Sequence, residues 1–339
     1  MCTNLKAKVT VVMAVYNSSK FLNKSIDSVL KQSLTDWKLI CVDDGSIDNS
    51  LEILHKYENR DFRITVLSKE NGGPASAREF AYKIVDTPYV VSLDSDDEYA
   101  ENFLELLVNR AEETNADSVA PNLLIEQKDG SLMNWNESYG WNSNLDVELT
   151  GNEAFEKTFI NATMHGVNLW KTKLVKQIAV GENANYNKLN EDEYIQRLLF
   201  LNCKKVVFAD TTYYYNNNQQ SISKKFRVKQ LGYLDTCKKY LHLVDSYNLS
   251  SNVESMIREY YMRHIVALRI RYYKNRNNLD KVSKMIVSER IRKEYDDVIK
   301  YKNDIRFEDK KFPWLYRFSC LNGYFVFDLS CFLFSFIKK

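Results

Sequence analysis

Two hydrophobic periods alternate through the first third of the chain. Apolar, largely β-branched runs occur at 9–15, 39–42, 64–67 and 89–93, with a weaker one at 118–125. Between them, stretches at 20–32, 49–57, 75–85 and 102–114 carry apolar residues at helical spacing. In the first, Phe21, Leu22, Ile26, Val29 and Leu30 share one face, with Ser18 or Ser19 in place to cap it. In the second, Leu51, Ile53 and Leu54 form the apolar side, behind Ser46 or Asp48 as cap. Strands alternating with helices predict parallel pairing through crossovers, hence an α/β, Rossmann-like open sheet flanked by helices. Strands that are apolar throughout fit a sheet covered on both faces. Asp129-Gly130 predicts a hairpin turn within 122–132. Beyond about Ser223 the period becomes long and helical, through Val228, Leu231 and Leu234 and then Val253, Met256, Ile257, Tyr260 and Tyr261. The expected division is therefore a sheet domain over 1–223 and a helical C-terminal extension over 224–339.

Composition narrows the class without naming a function. The 339 residues are 45% hydrophobic and 27% charged, as in an ordinary globular protein. A formal net charge of +2 provides no global field for nucleic acid, so none is expected as a partner. Six cysteines without a Cys-x-x-Cys pair argue against a disulfide framework or a cysteine zinc site and suit a reducing cytosol. The N-terminus runs into the strand pattern at Val9 without the layout of a signal peptide, and a cytoplasmic location is expected.

In sheets of this class ligands bind beyond the carboxyl ends of the strands. There the second strand gives Val42-Asp43-Asp44-Gly45-Ser46, and the fourth gives Leu93-Asp94-Ser95-Asp96-Asp97. Adjacent carboxylates repel, and clustering them where strands leave the core costs stability unless a cation or hydrogen-bond donors compensate. A hard divalent cation shared with substrate phosphates is a natural compensator. Mg2+ and Mn2+ both suit oxygen ligands, whereas the histidine-poor surroundings disfavour zinc. Asp and Ser also favour turns and helix caps, which explains either cluster alone but less readily two at one sheet edge. No Gly-x-Gly-x-x-Gly and no Gly-x-x-x-x-Gly-Lys-Ser/Thr occurs, so a diphosphate here needs neutralisation by metal instead of a backbone cradle.

Five segments in order, Val11–Asn17, Val42–Ser46, Asn71–Arg78, Asp94–Asp97 and Asn190–Glu193, resemble family 2 of the inverting, GT-A-fold glycosyltransferases, particularly bacterial enzymes of capsule, exopolysaccharide and lipopolysaccharide synthesis. Ala14 stands where that family usually has proline. The resemblance implies a nucleotide-sugar half over about 1–120 and an acceptor half over about 121–223. It implies that Asp44 meets the base of a UDP-sugar in a pocket lined by Ala14, Tyr16 and Asn17, and that Arg78 organises the acidic loop. Asp94 and Ser95 would contact the nucleotide, while Asp96, with Asp97 beside it, would hold the Mn2+ or Mg2+. Asp192 aligns with the general base that takes a proton from the acceptor hydroxyl, and Glu191 or Glu193 stand beside it as alternatives or as tuning charges. The same three acids also read as the acidic first turn of a helix. The implied partners are the nucleotide-sugar donor and a glycan or lipid-linked glycan acceptor. A nucleotidyltransferase would need a basic, Gly-rich triphosphate loop that is absent from the sequence. A non-catalytic nucleotide-sugar-binding or assembly subunit would have no need of all three acidic groups.

Trp135, Tyr139, Trp141, His165 and Trp170 fall between the acidic loop and Asp192, where aromatic faces serve either sugar stacking or packing. Arg263, Arg269, Arg271 and Lys274 read as a solvated helix face. The tail 312–339 is densely apolar and aromatic, is interrupted by Asn322 and Asp328, and falls short of the ~20 residues of a spanning helix. Two readings of it stand open: a peripheral membrane contact flanked by Lys310, Lys311, Lys338 and Lys339, or a core-forming helix or homodimer contact.

Overall fold

The β-branched runs pair in parallel as their period requires. In the computed structural model, which describes residues 6–127, 129–135, 145–159, 164–180, 191–216, 226–305, 317 and 320–336, β1 (Val9–Val15) is central, between β2 (Trp37–Asp43) and β4 (Tyr89–Ser92). The strand β3 (Ile64–Ser68) continues the parallel set beyond β2. Val9, Val11, Val12, Met13 and Val15 are all buried, as expected of a strand with helices on both faces. Connecting the strands are α1 (Leu22–Leu30), α2 (Ser50–Glu58) and α3 (Pro74–Ile84). Register aligns the strand ends: Val15 lies opposite Asp43, and Val12 opposite Ser92. Tyr16, Asp44 and Asp94 therefore leave the sheet along one edge.

Past β4 the sheet becomes mixed rather than mostly parallel. The short β5 (Glu98–Tyr99) and α4 (Phe103–Thr114) lead to β6 (Ser118–Glu126), β7 (Leu132–Asn134), α5 (Gly151–Lys157), β8 (Leu169–Lys171), α6 (Thr172–Ala179), α7 (Glu191–Leu201) and β9 (Val206–Tyr215). The strand order is β3-β2-β1-β4-β8-β6-β9-β5, with β7 on β6. The insertion of β8 antiparallel to both β4 and β6 breaks the parallel run, while β6 and β9 are parallel to each other. Only three residues long, β8 lacks the length that makes a strand legible in a sequence. The turn expected at Asp129-Gly130 is present: Gly130 has φ +81°, and the Gln127 N–H donates to the Ser131 carbonyl at 2.7 Å. The caps expected for α1 and α2 differ. Phe21 and Asn49 occupy the cap positions without side-chain bonds, and the nearby serines are drawn into the loops described below.

The chain divides into two compact units, one of Met1–Thr158, Ala162–Asn187 and Glu191–Asn218, the other of Phe159–Asn161, Lys188–Asn190 and Gln219–Lys339. The second is built from α8 (Gly232–Ser246), α9 (Ser251–Asn275), α10 (Lys281–Ile299) and α11 (Tyr324–Phe334). Its core includes Leu234, Ile265, Ile291, Tyr295, Phe327 and Cys331. Arg269 is not on a solvated face: its side chain is 7% exposed, and it donates to Asp328 at 2.5 Å. Asp328, which interrupts the apolar tail, thus faces inward to a cation. Phe327 stacks on Tyr295 at 4.7 Å, whereas Phe325 is 79% exposed. One face of α11 is core and the other is not. The residues 312–316 of the tail lie outside those described. Among the described residues no helix is long and apolar enough to cross a membrane. Phe327→Ala is expected to destabilise the helical unit by about 3–5 kcal/mol and Phe325→Ala by under ~0.5 kcal/mol, as read by denaturant unfolding.

Candidate functional site

Three loops meet at the aligned strand ends. Asn17 follows β1 at φ +52°, a left-handed conformation that Asn tolerates better than bulky residues. Its Oδ1 accepts from the Ile47 N–H at 2.8 Å, and its own N–H donates to Ser46 Oγ at 3.0 Å. Ser18 Oγ lies 2.7 Å from Ser95 Oγ, and the Ser19 N–H reaches Asp48 at 3.1 Å. The loops after β1, β2 and β4 are thereby tied to one another. Ala14 is partly buried at the end of β1, and Tyr16 is 41% exposed beside the same loops.

Asp44 is 2% exposed, and its charge is met by three donors. Lys69 Nζ (2.9 Å) and the Gly72 N–H (3.0 Å) reach Oδ1, and the Gly73 N–H (2.7 Å) reaches Oδ2. A carboxylate offers about four lone-pair sites, so one remains for a ligand. The approach requires Gly73 at φ +88°, directly before Pro74 opens α3. Lys69 was not foreseen. It follows β3 at the same sheet edge, where the rule applied to strands two and four would have found it.

The second acidic group is held from behind by β9. Asp97 is fully buried; Tyr213 Oη donates to its Oδ2 at 2.8 Å and the Asn216 N–H to its Oδ1 at 2.9 Å. Tyr213 Oη also accepts the Asp94 N–H at 3.1 Å, and Asn216 Nδ2 donates to the Asp96 carbonyl at 2.8 Å. Burial, with the charges of Asp94 and Asp96, pushes the Asp97 carboxyl up to about 8, against the pull of those two donors. Asp94 and Asp96 are less enclosed. Hard oxygen donors in this loop suit Mg2+ or Mn2+. Among the described residues no three His, Cys, Asp or Glu side chains form a complete cage.

Arg78 joins this loop to the third acidic group. From α3 it donates to Asp94 Oδ1 at 2.6 Å, and its other terminal nitrogen lies 3.6 Å from Asp192 Oδ2. Its side chain is only 14% exposed. Burial alone would lower the guanidinium, but Asp94 and Asp192 together hold it above its ordinary value. Asp192 is the second residue of α7 and accepts the Glu193 N–H at 2.9 Å, so the helix N-terminus presents a carboxylate to the site. Glu193 turns away to pair with Arg197. Asn190 lies outside the described residues, as does the side chain of Glu191. Tyr82, Ser92, Trp170 and Gln196 line a pocket with Arg78 and Asp192. Gln196, one turn after Asp192, was missed by the sequence reading because a lone Gln in a helix carries no motif.

Trp170 packs on Phe200 at 5.0 Å and is 5% exposed, a core role. Trp135 packs partly against the main core, while Tyr139 and Trp141 lie outside the described residues. The ring of His165 contacts the Pro121 carbonyl through Nε2 at 3.1 Å, and Nδ1 is enclosed without a partner. Burial, only partly offset by that carbonyl, holds the imidazole down at about 4.

Two outcomes are expected. The folded state binds fewer protons at His165 than the unfolded chain, so stability is lost as pH falls from about 6.5 towards 4, by up to ~3 kcal/mol. His165→Asn should flatten that limb in denaturation measured across pH. Tyr213→Phe leaves a buried Asp97 oxygen without its donor and should cost about 1–3 kcal/mol, read in the same way.

Residues 10–168 match Glycosyl transferase family 2. The glycosyltransferase GlyG of Streptococcus pneumoniae is 30% identical over 231 residues, which cover 64% of this chain and 73% of GlyG. The cholesterol galactosyltransferase of Borreliella burgdorferi is 31% identical over 221 residues, 61% of this chain and 59% of that enzyme. The chain spans between 32% and 59% of the length of three curated relatives that it matches. The structure of S. aureus TarS 1–349 in complex with UDP-GlcNAc superposes with a TM-score of 0.69 at 19% identity, covering 97% of this chain and 90% of that one. The fold is shared with TarS, and the chain belongs to glycosyltransferase family 2, with the GT-A fold.

Proposed function

We propose that the protein moves a sugar from a nucleotide-sugar donor, a UDP-sugar, to a hydroxyl of a growing surface polysaccharide or lipid-linked oligosaccharide, with inversion at the anomeric carbon. The observation that carries this reading is Arg78, which sits 2.6 Å from Asp94 and 3.6 Å from Asp192 and so sets a candidate base beside the acidic loop. A donor whose diphosphate lies at Asp94–Asp96 would have its sugar directed towards Asp192. The binding of UDP-GlcNAc by TarS supports a uridine donor. The remaining acceptor site on Asp44 suits an imide N–H of the base.

In this reading Asp96 is the metal contact of the acidic loop, and Asp97, with both oxygens engaged, is the strut that fixes the loop. A bound Mn2+ or Mg2+ supplies Lewis-acid stabilisation of the charge that develops on the departing diphosphate. Asp192 accepts the proton of the acceptor hydroxyl as its oxygen attacks the anomeric carbon from the face opposite the leaving group. Arg78 keeps that carboxylate oriented. The Tyr82–Gln196 pocket next to Asp192 offers hydrogen-bonding groups to a sugar ring. The place of work is the cytoplasmic face of a membrane, with a peripheral contact through the helical unit.

A panel of nucleotide sugars assayed for Mn2+-dependent release of nucleoside diphosphate tests the reaction class. A UDP-sugar should be turned over, and Asp192→Asn should cut transfer by about 10^2–10^4-fold while nucleotide binding stays nearly intact. Turnover undiminished in Asp192→Asn would remove it from the base role.

A further inference from the structure

We propose that one face of the helical unit docks on an anionic lipid bilayer, with the outer ridge of α11 entering the interface and cations at the start of α10 meeting lipid phosphates. The inference rests on the reading that the enzyme works at a membrane surface, and it names the surface and the lipid chemistry. Phe325, Leu329, Leu333 and Phe336 are 79%, 47%, 58% and 69% exposed. Their spacing of four, four and three places them on one stripe of the helix. The single Asp, Glu, Lys or Arg of α11, Asp328, is bonded by Arg269 and, at 2.8 Å, by Tyr273. Nothing charged therefore breaks the outer face.

A second apolar group lies at the start of α10, where Val282, Met285 and Ile286 are 60%, 55% and 43% exposed. Both groups border the same end of α9. The Tyr273 ring meets Phe332 of α11 at 5.3 Å, the Arg276 guanidinium lies 5.4 Å from the same ring, and Arg269 reaches Ser288 of α10 at 3.2 Å. Single apolar residues such as Phe62 and Ile47 are exposed elsewhere, but here seven are gathered on neighbouring helices, and clustered apolar surface marks an interaction site.

Charge decides the occupant. Lys274, Arg276 and Lys281 are exposed around these residues, and Lys284 is partly so. Among the described residues Lys281 and Lys284 enter no ion pair, while Asp280 is occupied at the N-cap of α10 by Ser283. Lys338 and Lys339 follow Phe336 in the sequence. Of the acids on α10, Glu294, Asp296 and Asp297 lie further along the helix and are paired with Lys238, Arg292 and Lys300, and Glu289 is exposed nearer its start. A two-fold contact with a second copy would set this basic rim against its own image. An anionic surface neutralises it instead, each lysine strengthening attachment about fivefold. With 11 residues α11 lies in the interface and does not span.

Flotation of the full chain with vesicles tests the proposal, using phosphatidylcholine alone and phosphatidylcholine mixed with phosphatidylglycerol. The protein should float with the anionic vesicles, less with the neutral ones, and less still at high salt. Leu329→Asp with Leu333→Asp should lower partition at least about tenfold, and Lys281→Glu with Lys284→Glu should lower it on anionic vesicles only. Phe325→Ser supplies a milder variant should the double substitution fail to fold. Turnover of a nucleotide sugar without vesicles should be unchanged in all three variants. Equal partition of wild type and the α11 variants overturns the proposal. So does a wild-type dimer that the α11 substitutions dissociate without any vesicle binding. Loss of turnover with attachment retained would instead count against the donor reading.

Discussion

Arg78 stands between two carboxylates that reach the site from distant parts of the chain. Asp94 arrives at the end of the fourth strand and Asp192 in the first turn of α7, about a hundred residues later. A side chain only 14% exposed cannot bear its charge without partners, and neither carboxylate is as well satisfied without it. The planar guanidinium addresses the two from separate terminal nitrogens, a span that the single nitrogen of an ammonium does not reproduce. The position of α3 depends in turn on Ala75, Ala77 and Ala81, whose small side chains let the helix lie close on the sheet, and on Gly73 at its start. The same Gly73 offers its N–H to Asp44. One helix thus organises all three acidic groups, through its first residues on one side and Arg78 on the other.

The remaining electrostatic cost is spread over the loops. Asp44 is answered by a lysine and two backbone N–H groups, and Asp97 by a tyrosine and an asparagine from β9. The Asp94 carboxylate is answered by Arg78, while its backbone N–H donates to Tyr213. Asp96 is partly exposed in the same loop. A site arranged in this way is preorganised before any donor binds, since its charged groups are already oriented by partners that would otherwise have to be recruited.

Much of this was legible in the sequence, and the exceptions have physical reasons. Strands β1 to β4 and their helices announce themselves because burial on both faces demands uninterrupted Val, Ile and Leu. The acids stand out because turn and cap preferences explain one such cluster more readily than two at one sheet edge. Strand β8, by contrast, has three residues and no period, so the antiparallel insertion between β4 and β6 was invisible, although the runs that became β6 and β7 were not. Ser18 and Ser19 looked like caps, for which their chemistry suits them, but the loop–loop bonds to Ser95 and Asp48 compete for the same groups. Arg269 looked solvated because its partner Asp328 lies 59 residues away, beyond any helical repeat. The tyrosine run 213–215 reads as a strand near the site, but the bonds of Tyr213 to Asp94 and Asp97, and of Asn216 to Asp97 and Asp96, are tertiary and carry no local signature.

The helical unit follows the same logic on a smaller scale. Its tail reads as uniformly apolar, yet Phe327 and Cys331 are core while Phe325 and Leu333 are surface. Removing the whole tail would open that core, so only substitutions on the outer ridge separate docking from folding. For the enzyme as a whole, the most direct test is Mn2+-dependent transfer by Arg78→Lys, measured for both donor affinity and turnover. The account expects both to fall, turnover by roughly 10^2-fold, because one ammonium nitrogen does not reproduce the spacing at which two guanidinium nitrogens hold Asp94 and Asp192. Undiminished turnover with unchanged donor affinity would contradict it.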